Sequence, residues 1–237
     1  MNEETRSKLK GVSVATLATA LYKRGLRNQV IQGVHPVGWK GENMVGPAFT
    51  LRYMPAREDR NTLAEFRRAD HPQRVAIETC PPGSVMVMDS RKSATAASAG
   101  DILITRLMKR GGAGVVTDGG FRDAATIAEL DIPAYHTRPS SPTNLTTNEA
   151  IAMNEPIGCG DAPVFPGDII VGDADCVIVI PAEIADEIAE EAVEMTAYED
   201  FVVEQVKAGE TIIGLYPRVN EEKYLPLFEA WRKANNR

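Results

Sequence analysis

The chain has 237 residues, of which 43% are hydrophobic and 25% are charged, and its formal net charge is −7. This balance is typical of a folded globular protein, and the length fits one large domain, which we take to span residues 1–237. The acidic charge disfavours nucleic-acid binding that depends on phosphate neutralisation, and no apolar run approaches the ~18 residues that would span a bilayer. Three scattered cysteines without a CxxC pair disfavour a disulfide framework or a cysteine zinc site. We therefore expect a cytoplasmic protein that binds neither nucleic acid nor membrane.

The sequence of the first third of the chain predicts a helix, two extended stretches and a polar segment. Ser13 is a suitable N-cap for a helix that ends near Gly25. Apolar stretches follow at 30–34 and 44–54, and the second alternates loosely as a strand does. Residues 58–79 are polar and charged and predict a helix, a break and a second helix.

The remainder alternates short apolar runs with amphipathic helices. The predicted strands are 84–88, 114–117, 132–135, 169–171 and 176–180, and the predicted helices are 100–110, 124–130 and 182–208. The two strands that follow Pro166-Gly167 are close enough in sequence to form a hairpin. A chain that mixes β–α–β units with a hairpin is predicted to be α/β or α+β with a mixed sheet.

The segment 100–123 carries most of the chemical information. Helices are predicted to begin at Asp101 and near Asp123, and the free N–H groups at such ends attract anions. Arg122 offers a planar fork that matches a carboxylate, and the two aspartates are suitable ligands for a hard cation, directly or through water. In the simpler interpretation both aspartates cap helices and Arg122 pairs with one of them.

The same segment contains a recognisable motif. It reads G-D-I at 100–102 and G-x-x-G-V-V-x-D-G-x-x-R-D at 111–123, which resembles the pattern of the RraA-like family. That family contains the regulator of ribonuclease activity A and aldolases of 4-hydroxy-4-methyl-2-oxoglutarate and 4-carboxy-4-hydroxy-2-oxoadipate. The resemblance extends roughly from Ser13 to Gly209. It implies an α/β fold with layered α-β-β-α architecture, a swivelling β/β/α-like core and a mixed sheet, assembled as a homotrimer or a dimer of trimers.

The resemblance to the aldolase branch also implies roles for individual residues. Asp123 matches a direct ligand of Mg²⁺ or Mn²⁺, Asp101 an acid that holds metal-bound water, and Arg122 the arginine that contacts the pyruvoyl oxygens. The substrate-binding residues implied are Arg122, Gly100, Ile102 and Leu103, the last two through their backbone N–H groups. The implied activity is aldol cleavage or decarboxylation of a small anionic 2-oxo acid, such as oxaloacetate, through a pyruvate enolate.

Glu199 is the third acid that the resemblance implies, supplied by a neighbouring subunit and acting on the metal through water. It lies ten residues before Gly209 in the helix 182–208, which is expected to pack on that neighbour. Helical periodicity places Glu199 within an apolar stripe, where a carboxylate is costly unless it is paired or coordinates something. A salt bridge or an exposed helix end is the alternative, and Glu191 at the edge of the stripe is the fallback candidate. The stripe consists of Ile184, Ile188, Ala192, Met195, Val202 and Val206.

Two polar stretches, 57–74 and 138–142, depart from the compact family pattern. Their basic residues are suited either to binding a second carboxylate or hydroxyls of a substrate or to covering a subunit interface. Three functions therefore stay open: a metal-dependent lyase, a non-catalytic regulator that binds ribonuclease E, and a dehydratase or lyase acting on a sugar-derived 2-oxo acid.

Overall fold

The computed structural model describes all of residues 1–237 and consists of eight α-helices and fourteen strands. The helices are α1 (Glu3–Lys10), α2 (Val14–Lys23), α3 (Leu63–Phe66), α4 (Pro72–Thr79), α5 (Asp101–Lys109), α6 (Ala124–Glu129), α7 (Ala185–Lys207) and α8 (Glu221–Asn235). The strands are β1 (Val30–Ile31), β2 (His35–Pro36), β3 (Met44–Pro55), β4 (Val85–Asp89), β5 (Ala97–Ala99), β6 (Gly114–Thr117), β7 (Gly120–Phe121), β8 (Ala134–His136), β9 (Arg138–Pro139), β10 (Asn148–Met153), β11 (Ile157–Cys159), β12 (Ala162–Val164), β13 (Ile169–Gly172) and β14 (Val177–Ile180). None of the helices is both long enough and apolar enough to cross a membrane.

The main sheet has nine strands in the order β1-β14-β13-β3-β4-β6-β8-β2, with β10 also paired to β3. The pairs β3–β4, β4–β6 and β6–β8 are parallel, whereas β13 and β14 form the predicted antiparallel hairpin. Parallel neighbours need crossover connections, and here α3 with α4, then α5, then α6 supply them. The predicted mixed sheet in a layered α/β fold is therefore confirmed.

The parallel strands are covered on both faces, which explains their unbroken apolar sequences. On β4, Met86 and Met88 join the cluster formed with α4, α5 and α6, whereas Val85 and Val87 join the cluster on the other face. This alternation follows the two-residue period of a strand. A separate cluster joins α1, α2 and α7 to the β13–β14 hairpin.

A second, three-stranded sheet positions the motif identified in the sequence. Its strands β5, β7 and β9 run parallel, in that order. Because β5 leads directly into α5, and β7 is followed within three residues by α6, the starts of these two helices lie side by side. The predicted turn at 118–123 thus contains a short strand that the sequence did not indicate.

Several predicted boundaries needed correction. In the polar segment 58–79, the break between the two predicted helices lies at 67–71, and Pro72 begins α4, where a missing N–H costs nothing. The strand predicted at 132–135 begins only at Ala134. The sequence did not predict α1, α8 or the β11–β12 pair.

The predicted long acidic helix is present as α7, preceded by a short 3₁₀ turn over 182–184. Its buried side chains Ile188, Ala189 and Ala192 pack in the cluster with α1 and α2 of the same chain. Its C-terminal half packs against α8 through Phe201 and Phe228. Contact between α7 and a neighbouring subunit stays a prediction.

Candidate functional site

A cavity of about 340 Å³ lies where α5 and α6 begin, a size suited to a small organic ligand. Six residues singled out from the sequence line it together. They are Gly100, Asp101, Ile102, Leu103, Arg122 and Asp123. The structure therefore brings the two ends of the 100–123 motif into one site.

The β5–β7 pairing explains how Arg122 and Asp123 reach this cavity. The Arg122 N–H donates to the Ala99 carbonyl at 2.9 Å, which continues the strand pairing to the edge of the cavity. Asp123 then adopts a left-handed conformation with φ of 55°, which aspartate tolerates better than most residues, and α6 begins directly after it.

The Asp123 carboxylate lies against the backbone of Gly100. A Cβ at Gly100 would lie 3.3 Å from Asp123 Oδ2, so glycine leaves room for the carboxylate there. Asp123 occupies the N-cap position of α6, as the simpler interpretation predicts, but its side chain makes no capping hydrogen bond.

Asp101 occupies the first turn of α5, where a negative charge interacts favourably with the helix dipole. Its Oδ1 accepts a hydrogen bond from the Ile102 N–H at 2.8 Å. The N-cap of this helix is Gly100, which has no side chain, so the interpretation of Asp101 as a capping residue is wrong. The sequence predicts that the Ile102 N–H faces a substrate carboxylate, but in this structure that N–H donates to Asp101 Oδ1. Leu103 lines the cavity.

The Arg122 side chain is exposed at the cavity and pairs with neither aspartate, contrary to the simpler interpretation of the motif. Its guanidinium is thus available to a ligand. An arginine and two carboxylates that line one cavity can bind both an oxyanion and a cation.

The donor set fits a magnesium ion. Mg²⁺ is commonly bound by one or two carboxylates and keeps several waters, and Asp123 and Asp101 line the cavity as the two carboxylates. No group of three or more histidine, cysteine, aspartate or glutamate side chains in the chain is arranged to enclose a metal.

Glu199 lies elsewhere in the chain. It lines a separate cavity of about 420 Å³ beside α7, and its Oε2 accepts a hydrogen bond from Thr16 Oγ1 at 2.8 Å. Within one chain it is not part of the cavity that Asp123 lines, and its action on the site of a neighbouring subunit stays a prediction. The fallback candidate Glu191 forms ion pairs with Lys23, at 3.0 Å, and with Arg24.

Asp118, the other acid of the motif, has a structural role. Its carboxylate accepts hydrogen bonds from the N–H groups of Ser90, Lys92 and Gly160, at 2.7, 3.0 and 3.1 Å. Burial raises the pKa of Asp118, and the three N–H donors partly offset that effect. These bonds tie together three loops behind the cavity.

Sequence reasoning missed several cavity residues. The polar segment contributes Phe66, Gln73 and Arg74 to the cavity, and a later loop contributes Thr143 and Asn144. The Gln73 amide is buried and donates to Tyr53 Oη at 3.1 Å and to the Ser98 carbonyl at 2.7 Å. The polar stretch 57–74 departs from the family pattern, but nothing in its local sequence indicates which of its side chains reach the cavity.

The protein is thus a layered α/β protein in which an arginine and two aspartates lie at the starts of two neighbouring helices, α5 and α6. A family model described as "RraA-like: Aldolase/RraA" matches residues 14–179, and the chain belongs to the RraA-like family.

Curated relatives share this region. The chain is 34% identical over 142 residues to a putative 4-hydroxy-4-methyl-2-oxoglutarate aldolase of Halalkalibacterium halodurans, an alignment that covers 60% of this chain and 61% of the relative. It is 26% identical over 200 residues to protein DlpA of Legionella pneumophila, which covers 84% of this chain and 31% of that protein. The chain thus spans less than two thirds of the length of either relative.

The alignments with solved structures cover more of the matched protein's length than the alignments with the curated relatives do. Streptomyces coelicolor RraAS2, described as an unusual member of the RNase ES inhibitor RraA protein family, superposes with a TM-score of 0.75 at 31% identity, covering 85% of this chain and 96% of that one. An uncharacterised protein from Pseudomonas syringae pv. tomato gives a TM-score of 0.76 at 22% identity, covering 91% of this chain and 98% of its own, and shows the likeness of fold alone.

Proposed function

We propose that this protein is a divalent-metal-dependent lyase that cleaves or decarboxylates a small anionic 2-oxo acid through a pyruvate enolate. The observation that supports this most directly is the convergence of Arg122, Asp123 and Asp101 on one cavity at the start of α5. The 34% identity to a putative 4-hydroxy-4-methyl-2-oxoglutarate aldolase points to the same chemistry.

In this proposal, positive groups of the protein bind the anionic substrate, and two aspartates hold the metal. The Arg122 fork binds oxygens of the 2-oxo acid end, and the N-terminus of α5 adds the positive end of its dipole. Asp123, directly, and Asp101, through water, would hold Mg²⁺ or Mn²⁺, which supplies Lewis-acid stabilisation of negative charge on the 2-oxo oxygen.

The chemical step breaks a carbon–carbon bond, and its electron pair moves into the enolate. Arg122 stabilises the negative charge that develops there, and a preorganised cation of this kind contributes most in a partly enclosed site. A water held by Asp101, together with Glu199 of a neighbouring subunit, then delivers a proton to the enolate carbon and yields pyruvate. Aldol cleavage also requires a base, a role that the water held by Asp101 can fill, to take the proton of the hydroxyl that becomes the carbonyl of the leaving fragment. Decarboxylation releases CO₂ without that proton transfer.

Assembly is part of this proposal. Glu199 lies outside the cavity that Asp123 lines in its own chain, so a complete site requires a second subunit. We propose a homotrimer or a dimer of trimers, in which α7 presents Glu199 to a neighbour.

The deciding experiment measures pyruvate release from oxaloacetate and from 4-hydroxy-4-methyl-2-oxoglutarate, with Mg²⁺ and with a chelator. We expect metal-dependent release, and we expect Arg122→Ala to lower kcat/KM by about 100-fold or more, because it removes a charge that stabilises the enolate. Arg106→Ala is the matched control, since Arg106 lies on α5 but is occupied by an exposed pair with Glu78. Normal turnover by Arg122→Ala would contradict the assigned role.

A second candidate function is inhibition of a ribonuclease. The specific observation in its favour is 31% identity to RraAS2 over 96% of that chain. Ribonuclease E inhibition that persists in the presence of a chelator, without pyruvate release from either substrate, would favour this candidate over the lyase.

A further inference from the structure

The polar segment 57–74 forms one wall of the candidate site. Phe66, at the end of α3, and Arg74, in the first turn of α4, line the same cavity as Arg122 and Asp123. Arg74 thus adds a second cation to a cavity whose other arginine is assigned to the 2-oxo end of the substrate.

Arg74 is held in place by its own segment. Its Nη2 donates to the carbonyls of Phe66 and of Arg68, the latter at 2.5 Å, and its guanidinium carbon lies 4.7 Å from the centre of the Phe66 ring. A guanidinium has five N–H donors, so Nε and Nη1 retain donors that no residue of the chain accepts. A cation fixed in this way loses little further freedom when it binds a ligand.

Two other arginines of the segment are neutralised by carboxylates within it. Arg57 pairs with Asp59 at 2.6 Å, and Arg68 pairs with Asp70 at 2.8 Å. Arg74 has carbonyl partners only, and no carboxylate lies within ion-pair distance of it. Its positive charge is therefore uncompensated at the cavity wall, where it attracts an anion.

We propose that Arg74 is a specificity-determining residue that binds an oxyanion at the end of the substrate remote from the 2-oxo group. The inference rests on the proposed function and narrows its substrate to 2-oxo acids that carry a second anionic group, a carboxylate or a phosphate. Both groups match the guanidinium fork, and the experiment distinguishes them.

Binding of three probes to the full-length protein in the presence of Mg²⁺ tests the proposal by calorimetry. Pyruvate has no distal anion, 2-oxoglutarate has a distal carboxylate and 3-phosphonopyruvate has a distal phosphonate. We expect Arg74→Met to weaken binding of one or both of the last two probes by about 10- to 100-fold, the usual size of a lost hydrogen bond to a charged group, and to leave pyruvate binding unchanged. Arg74→Lys, which keeps the charge but not the fork, should recover part of the loss.

Arg60→Met is the matched control, because Arg60 belongs to the same segment but lines a different, neighbouring cavity. The probe that loses affinity in Arg74→Met identifies the group, carboxylate or phosphate. Equal losses of affinity for all three probes would show that Arg74 only holds the segment in place, and the proposal would be wrong. It would also be wrong if no probe lost affinity, or if the wild-type protein did not bind the probes. Pyruvate release in the turnover assay tests the proposed function separately, so selective binding without turnover would refute the lyase and leave the Arg74 site standing.

Discussion

The left-handed backbone of Asp123 decides which substitution tests its role cleanly. Asparagine adopts this conformation about as readily as aspartate, whereas alanine would add strain at φ of 55°. A change to asparagine therefore removes the negative charge without disturbing the turn into α6.

We expect Asp123→Asn to fold normally and to weaken Mn²⁺ binding about 10-fold or more, because a neutral amide replaces an anionic oxygen ligand. Titration of Mn²⁺, followed by calorimetry or by the electron paramagnetic resonance of the free ion, measures the loss. Asp131→Asn, at an exposed aspartate outside this cavity, is the matched control. Unchanged Mn²⁺ affinity in Asp123→Asn would remove the carboxylate from the metal site.

At the residue scale the motif located Asp101, Arg122 and Asp123 but not Arg74. The first three lie within a short, distinctive stretch, and helix starts and turn glycines are visible in local sequence. Arg74 is one of several arginines in a polar stretch. Only packing distinguishes it, because Arg74 is the one arginine of the stretch 57–74 that lines the cavity, whereas Arg57 and Arg68 pair with carboxylates of their own stretch.

At the element scale the small sheet of β5, β7 and β9 decides the geometry of the site. Its strands have only two or three residues each, too few to show a period in the sequence. Pairing of β5 with β7 nevertheless sets the start of α5 against the start of α6, and Gly100 lies at the closest approach.

Gly100→Ala tests this approach. The added methyl group would lie 3.3 Å from Asp123 Oδ2, so we expect the carboxylate to shift and pyruvate release to fall about 10-fold, since small displacements of a catalytic group are costly. The melting temperature should stay close to that of the wild type, because the group that must move is the free end of a side chain. Gly158→Ala is the control, as nothing lies within 4 Å of its added Cβ. Full activity in Gly100→Ala would show that this contact does not fix Asp123.

At the scale of the whole molecule, the separation of Glu199 from Asp123 predicts complementation between subunits. We expect Glu199→Gln and Arg122→Ala to be inactive alone, and co-expressed mixed oligomers to recover about a quarter to a third of wild-type activity. In random mixing about a quarter of the sites would receive an intact arginine from one subunit and an intact glutamate from its neighbour, and removal of the unmixed oligomers raises this share to about a third for a trimer. Pyruvate release by doubly affinity-purified mixed oligomers is the measurement. If both residues acted within one chain, no mixed site would be intact and no activity would return.

Local sequence was sufficient to predict most of the helices and strands of the main sheet, the mixed α/β character and the motif at 100–123. These features are local, because strand alternation, helix periodicity, turn glycines and helix starts are all set within a few residues. The β13–β14 hairpin was predictable for the same reason, since its strands are joined by a short turn.

Only the tertiary structure decided which distant segments share the site. It brought Phe66 and Arg74 to the cavity of Asp123, placed Glu199 in a different cavity of the same chain, and packed the unpredicted helix α8 against α7. These arrangements depend on burial of apolar surface between elements far apart in sequence. Such burial leaves a periodic pattern within each segment, but because the force is non-directional the pattern does not specify which segments pack together.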